Sequence, residues 1–277
     1  MSEPNFEPTA PGKAPESENA IGRRAFLRQA LPTPLAAASW LEGCRTAAPQ
    51  EAKPPEEAKP AEEPSYRPAD HNYAMGVDTS RCIGCGRCVE ACKAENSVPR
   101  EPYYFRTWIE RYVVQTDGET AVSSPNGGIG GFPPVKETGV LRTFFVPKLC
   151  NQCANPPCVQ VCPVGATFVT QDGVVLVDAD YCIGCRYCIQ GCPYGARFLH
   201  PVTHVAEKCT FCYHRLVKGL VPACVEVCPT QARIFGDLKQ RSSPLARFLR
   251  FNVIQVLKPH LNTDPKVFYA NLDREVS

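Results

Sequence analysis

Sixteen of the seventeen cysteines in this 277-residue chain fall into four groups of four. Group one is Cys82, Cys85, Cys88 and Cys92, and group two is Cys150, Cys153, Cys158 and Cys162. Group three is Cys182, Cys185, Cys188 and Cys192, and group four is Cys209, Cys212, Cys224 and Cys228. Groups one and three read C-x2-C-x2-C-x3-C, group two C-x2-C-x4-C-x3-C, and group four C-x2-C-x11-C-x3-C. Pro163, Pro193 and Pro229 follow the last cysteine of groups two to four, and Lys93 takes that place in group one. A disulfide scaffold suits short secreted chains, and these cysteines are packed too tightly for simple bridges. Structural zinc takes Cys pairs far apart in sequence, not four cysteines within eleven residues. A redox C-x-x-C would need a thioredoxin-like context, which is absent.

The spacing is the one that holds [4Fe–4S] cubanes. C-x2-C-x2-C lets one short loop wrap three corners of a cube. The loop bends sharply, and Gly84 and Gly184 supply residues tolerant of positive φ. Its successive N–H groups are free to point at sulfur, as in anion-binding nests. The last two cysteines, four residues apart, span one helical turn. That turn carries the chain away, so the fourth cysteine ligates a second cube. The following proline then ends the helix. Motifs therefore work in pairs, and four motifs predict four [4Fe–4S] clusters.

The formal charge of +2 argues against nucleic acid as the main partner. Four cubanes with sixteen thiolates add roughly −2 per oxidised cluster. Basic residues near the cysteines fit this balance: Arg81, Arg87, Lys93, Lys148, Arg186, Arg197, Lys208, Arg215 and Lys218. Each is either a tuner of cluster potential or an ordinary solvated charge. No window of 18 apolar residues exists, so no ordinary membrane span is expected.

The N-terminal segment 1–44 carries Gly22-Arg-Arg-Ala-Phe-Leu-Arg28 before a weak apolar run, and resembles a twin-arginine export signal. That route carries folded, cofactor-loaded proteins, so an extracytoplasmic location at the inner membrane is expected. Cys44, the seventeenth cysteine, ends Leu41-Glu-Gly-Cys44, which resembles a lipobox with Glu42 a poor fit. A single lipid anchor there would only assist docking. Residues 45–72 repeat Glu-Ala-Lys-Pro and read as an extended linker. A folded region is expected over 73–240, and over 241–277 an amphipathic docking tail that packs on a partner or on the protein's own surface.

Within the folded region, strands are expected at Tyr73–Asp78, Tyr104–Val114 and Leu141–Pro147, and a loop over 117–139. The segments 166–170 and 173–178 read as a hairpin. Only nineteen residues join groups two and three, the compact layout of a two-cluster unit. Pairing those groups leaves one and four to each other. Cys82, Cys85 and Cys88 then share a site with Cys228, and Cys209, Cys212 and Cys224 share one with Cys92. Cys150, Cys153 and Cys158 join Cys192, and Cys182, Cys185 and Cys188 join Cys162. Pairing one with two and three with four keeps the cluster count and changes the wiring. The fold expected is α+β: tandem, pseudo-two-fold, dicluster ferredoxin-like units, loop-rich, with short strands, hairpins and small helices.

From about residue 72 to 270 the sequence resembles the four-cluster iron–sulfur subunits of molybdopterin oxidoreductase complexes of the dimethyl sulfoxide, polysulfide and tetrathionate reductase type. The stretches that carry this are Asp78-Thr-Ser-Arg-Cys-Ile-Gly-Cys-Gly-Arg-Cys, Cys150-Asn-Gln-Cys-Ala-Asn-Pro-Pro-Cys, Cys182-Ile-Gly-Cys-Arg-Tyr-Cys and Lys208-Cys-Thr-Phe-Cys-Tyr-His-Arg. The resemblance implies the enclosed wiring, first motif with last. It implies an electron-transfer subunit and not an enzyme in itself. Its implied partners are a quinone-reactive integral membrane subunit of the polysulfide-reductase type and a molybdopterin, hydrogenase or multihaem cytochrome subunit. A free periplasmic polyferredoxin shuttle is the alternative. No catalytic constellation is visible. His214 reads as a hydrogen-bonded structural residue, and Tyr103, Tyr104 and Trp108 read as core or interface.

Overall fold

The structure is a computed structural model that describes residues 66–135 and 138–276. The export signal, Cys44 and most of the linker lie outside the described residues. In sequence order the elements are β1 (Tyr73–Asp78), α1 (Arg87–Glu95), β2 (Thr107–Gln115), β3 (Thr120–Ser123) and β4 (Val140–Leu149). Next come α2 (Pro157–Gln160), β5 (Thr167–Val169), β6 (Val175–Val177), α3 (Tyr187–Gln190), β7 (Arg197–Leu199) and β8 (Ala206–Lys208). The last are α4 (Tyr213–Leu216), α5 (Ala223–Glu226), β9 (Arg233–Asp237), α6 (Pro244–Phe251), β10 (Ile254–Gln255) and β11 (Val267–Ala270).

A four-stranded sheet in the order β10-β11-β1-β9 joins the two ends of the folded region. β1 runs parallel to β11, with Met75 opposite Val267, and antiparallel to β9, with Tyr73 opposite Asp237. Its buried run Ala74, Met75 and Val77 suits a central strand covered on both faces. β1 leads into group one and β9 leaves group four, so their pairing brings the first and last motifs together. A second sheet, β3-β2-β4, supplies Ile109, Val146 and Leu149 to the same core. The β5–β6 hairpin separates groups two and three, and β7–β8 separates three and four.

Two expectations differ from the structure. The segment 117–139 is not all loop, because Thr120–Ser123 forms β3 against β2. Glycines and prolines cluster only after it. The tail expected to pack on a partner or on the protein's own surface is, over its described residues 241–276, built into the body. Ser243 caps α6 by accepting from the Ala246 N–H at 3.1 Å. The helix buries Leu245 and Phe248 against Ala74 and Ala270, and the chain then returns as β11 beside β1. Gly76 permits this: a Cβ there would stand 2.6 Å from the Phe248 ring. The end of the expected linker is tied down as well. Tyr66 stacks on His71, His71 on Tyr73 and Tyr73 on Phe235, at 5.2, 5.3 and 5.5 Å between ring centroids.

Candidate iron–sulfur sites

In all four motifs the residue before the second cysteine has positive φ. Gly84 (+70°) and Gly184 (+68°) do so freely, while Gln152 (+47°) and Phe211 (+54°) carry side chains into that region. The left-handed conformation costs an L-residue roughly 1–2 kcal/mol. Both are fully buried and recover that energy through contacts. The Gln152 amide donates to the Cys209 carbonyl at 2.6 Å and accepts from the Val175 N–H at 2.7 Å. Phe211 packs edge-on against Phe235. Gln152 thereby ties the group two loop to the group four loop.

The turn between the last two cysteines is helical in every motif, and its length follows the next residue. α2, α3 and α5 last four residues each and end just before Cys162-Pro163, Cys192-Pro193 and Cys228-Pro229. Proline disfavours helix at the residue before it and brings no N–H. In α1, Lys93 imposes neither limit and the helix runs nine residues, to Glu95. The buried Lys93 ammonium donates to the carbonyls of Pro99, Arg100 and Glu101 at 2.8, 3.3 and 2.9 Å. It also lies 4.3 Å from the centroid of the Phe105 ring.

After the proline, the chain curls its N–H groups onto the cysteine sulfur. Burial works against the Cys162 thiolate, and N–H groups of Thr167, Val164 and Ala166 outweigh it, leaving the thiol below its ordinary range. At Cys228 burial is likewise outweighed by the Arg233 N–H, the Thr230 side chain and the Ala232 N–H. At Cys192 burial is not outweighed by the N–H groups of Ala196 and Tyr194, and the thiol is raised. The Cys92 thiol is raised further. Burial and then the sulfurs of Cys209, Cys224 and Cys212 push its thiol well up.

α1 packs on α5, and α2 on α3. The first of the sulfur-lined places is a small cavity lined by Cys82, Cys85, Cys88 and Cys228, with Arg233 and Ile109. At the second, Cys92 lies among Cys209, Cys212 and Cys224. There the Asn96 amide stands 3.7 Å from the Cys92 sulfur and 3.6 Å from the Cys212 sulfur. The third is a small cavity lined by Cys150, Cys153, Cys158 and Cys192, with Arg197 and Val175. Beyond it, Cys182 and Cys188 share an apolar cluster with Cys158, Val175 and Ala206, and Cys162 follows α2, which packs on α3. The Ala206 N–H donates to the Cys182 sulfur at 3.5 Å.

These places suit an iron–sulfur cube. Burial pushes the Cys82 and Cys224 thiols up to about 11 and those of Cys153 and Cys209 to about 12. Thiolates gathered out of water need a cationic centre among them, which iron supplies. Each of the two cavities is bordered by a buried arginine that has a nitrogen without an acceptor, Arg233 Nε and Arg197 Nη2. Buried donors of this kind are rarely left unmatched, and the sulfides of a cluster are suitable acceptors.

Of the basic residues singled out in the sequence, Arg197 and Lys208 are buried close to several cysteine sulfurs, and Lys93 is buried within reach of Cys92. Lys93 turns to carbonyls, Lys148 pairs with Glu110 at 2.7 Å, Arg215 with Glu95 at 3.0 Å, and Arg81 with Asp78 at 3.3 Å. Arg87, Arg186 and Lys218 are exposed. His214 pairs with Glu95 at 2.7 Å on the surface. Trp108 bonds Glu110 at 2.8 Å, Tyr104 tilts against Phe198 and Tyr103 is exposed. Sequence reading missed Arg233, Asn96 and Gln152. A signal for Arg233 exists: Ala232-Arg233 stands in the same place after Cys228-Pro229 as Ala196-Arg197 after Cys192-Pro193.

Comparison with known proteins agrees with this chemistry. Residues 81–166 and 141–238 each match a 4Fe-4S dicluster domain family. The sequence is 48% identical over 205 residues to a tetrathionate reductase subunit of Salmonella typhimurium, spanning 73% of this protein and 74% of the relative. It is 40% identical to a putative dimethyl sulfoxide reductase iron-sulfur subunit of Halobacterium salinarum, spanning 72% and 79%. It is 39% identical to a polysulfide reductase chain of Wolinella succinogenes, spanning 71% and 92%. The protein holds four [4Fe–4S] clusters in two tandem dicluster domains of a small α+β fold. Sixteen cysteines in four motifs, two dicluster matches and relatives of this kind give one conclusion: the protein belongs to the four-cluster iron–sulfur electron-transfer subunits of molybdopterin-oxidoreductase-type complexes.

Proposed function

We propose that the protein carries electrons between a catalytic or cytochrome subunit and a quinone-reactive membrane subunit, on the extracytoplasmic side after twin-arginine export. Cys82, Cys85, Cys88 and Cys228 hold the first cluster, and Cys209, Cys212, Cys224 and Cys92 the second. Cys150, Cys153, Cys158 and Cys192 hold the third, and Cys182, Cys185, Cys188 and Cys162 the fourth. The clusters supply one-electron transfer. The protein supplies the spacing, the dry surroundings and the local charge.

The observation that carries this reading is the continuity of the sulfur-lined places. Cys88 lies within electrostatic reach of Cys224, Cys209 of Cys150, and both Cys158 and Cys188 of Arg197. The four sites therefore adjoin in the order first, second, third, fourth. Both ends reach the surface: Cys85 and Cys185 are exposed, while all four cysteines of the second site are buried. An enclosed middle with two open ends suits a conductor between two partners. No described helix is long and apolar enough to cross a membrane; in this reading a partner subunit supplies the membrane contact. Relatives named as chains or subunits of polysulfide and tetrathionate reductases support such partners.

Spectroscopy of Cys92→Ser tests the ligand assignment. The second cluster is expected to change and the third and fourth to keep their signals; a change confined to the third or fourth contradicts it. Membrane fractionation tests the assembly: co-purification with a membrane subunit is expected, and recovery alone in the soluble fraction favours the shuttle.

A further inference from the structure

Three of the buried cations near the sulfurs have no carboxylate partner among the described residues. Arg233 is 2% exposed, Arg197 5% and Lys208 1%. Arg233 lines the first cavity, and its Nη1 stands 3.8 Å from the Cys224 sulfur of the second site. Its Nη2 donates to Thr107 Oγ1 at 2.7 Å, which holds the guanidinium in place. Arg197 lines the third cavity and is held by Thr167 Oγ1 at 3.3 Å. Thr167 begins β5, after the Cys162 turn of the fourth site, and Arg197 is within reach of Cys188 of that site. Lys208 Nζ donates to the Cys209 carbonyl at 2.8 Å and to the Val175 carbonyl. Cys209 belongs to the second site, and Val175 lines the third.

Each of the three junctions in the series thus contains a buried cation with no carboxylate partner of its own; Lys266, 6% exposed and within reach of Asp172, lies beside Lys208, Cys150 and Cys153 as a further cation at the third site. An isolated buried charge is strongly unfavourable, so each needs an anion beside it. Clusters bearing roughly −2 each are the anions of suitable place and sign. We propose that Arg233, Lys208 and Arg197 are junction cations, each raising the reduction potentials of the two clusters it separates and relieving their mutual repulsion. This rests on the ligand assignment above. A fixed positive charge favours the more negative, reduced state of a neighbouring cluster, so removing it lowers the potential.

The test is a redox titration of the holoprotein followed by electron paramagnetic resonance, with Arg233→Gln, Lys208→Met and Arg197→Gln. Each variant is expected to lower the potentials of two clusters and leave two unchanged. The pairs moved by Arg233→Gln and Arg197→Gln share no member, and Lys208→Met moves one cluster from each. Arg233→Lys, Arg197→Lys and Lys208→Arg, which keep the charge, are expected to restore most of each shift. If a neutral variant loses iron, the loss is expected from the same two clusters and no others. Shifts or losses spread over all four clusters, overlapping arginine pairs, or charge-keeping variants that behave like neutral ones would overturn the proposal. Cys92→Ser, measured alongside, separates the two levels. If it perturbs the third or fourth cluster, the ligand assignment fails; if it behaves as expected while the cation pattern is wrong, only the junction cations fail.

Discussion

The second and fourth sites each take three cysteines from one motif and a fourth from another, and end in opposite surroundings. Around the second, Cys92, Cys209, Cys212 and Cys224 are all buried. Two sheets, the long α1 and Phe211 surround it. Around the fourth, Cys185 is exposed, and Tyr181, Ile183 and Tyr187 stand with more than half their surface in solvent. Only single-turn helices and two small hairpins frame it. Motif spacing sets what is held; the segments between motifs set how deeply it lies. In an electron carrier that difference separates an internal relay from a terminal contact.

Removing the iron should break the comparison most completely. It leaves Arg233, Arg197 and Lys208 buried without anions, and unpaired buried charges cost several kcal/mol each. Iron chelation is therefore expected to abolish a cooperative unfolding transition, and a native-like transition in the iron-free protein would count against it. Next in size is a pair of ligand changes. Cys224→Ser, inside the core, is expected to lower the thermal midpoint far more than Cys185→Ser, at the rim. Equal losses would mean that burial does not distinguish the sites.

Lys93→Met is a smaller test. It removes the donor that gathers three carbonyls and is expected to cost about 2 kcal/mol, from hydrogen bonds to a charged group worth about 1.5–3 kcal/mol. Denaturant unfolding would show it, and a change below about 0.5 kcal/mol would exclude Lys93 as the anchor of the 99–101 turn. Gly76→Ala is expected to cost about 1–3 kcal/mol, because the new methyl meets Phe248. An unchanged midpoint would show that α6 is not held against β1. Smallest is Ile183→Ala at the fourth site, where an exposed side chain predicts a stability change within about 0.5 kcal/mol. A larger loss would show that Ile183 is not simply a rim residue.

Much of this was legible in the sequence because cysteine spacing carries geometry directly. The β5–β6 hairpin, β1 and the helical turn between the last two cysteines follow from local pattern. So do the tight turns at Gly84 and Gly184. Gln152 and Phe211 adopt the same turn without glycine, because buried contacts on the far side hold them there, and those contacts are long-range. The tail showed an apolar face, but amphipathicity does not name what covers it; pairing of β11 with β1 spans almost the whole folded region. Arg197 and Lys208 stood out beside cysteines. Arg233 did not, since its partner Cys224 lies across a turn, and only the shared Ala-Arg register pointed to it.

The central claim is that the first motif exchanges its fourth cysteine with the last. Iron-edge anomalous diffraction from crystals of the holoprotein tests it most directly. The account predicts four iron centres, with Cys228 on the centre held by Cys82, Cys85 and Cys88, and Cys92 on that held by Cys209, Cys212 and Cys224. Cys162 found on the centre of Cys82, Cys85 and Cys88 would contradict it.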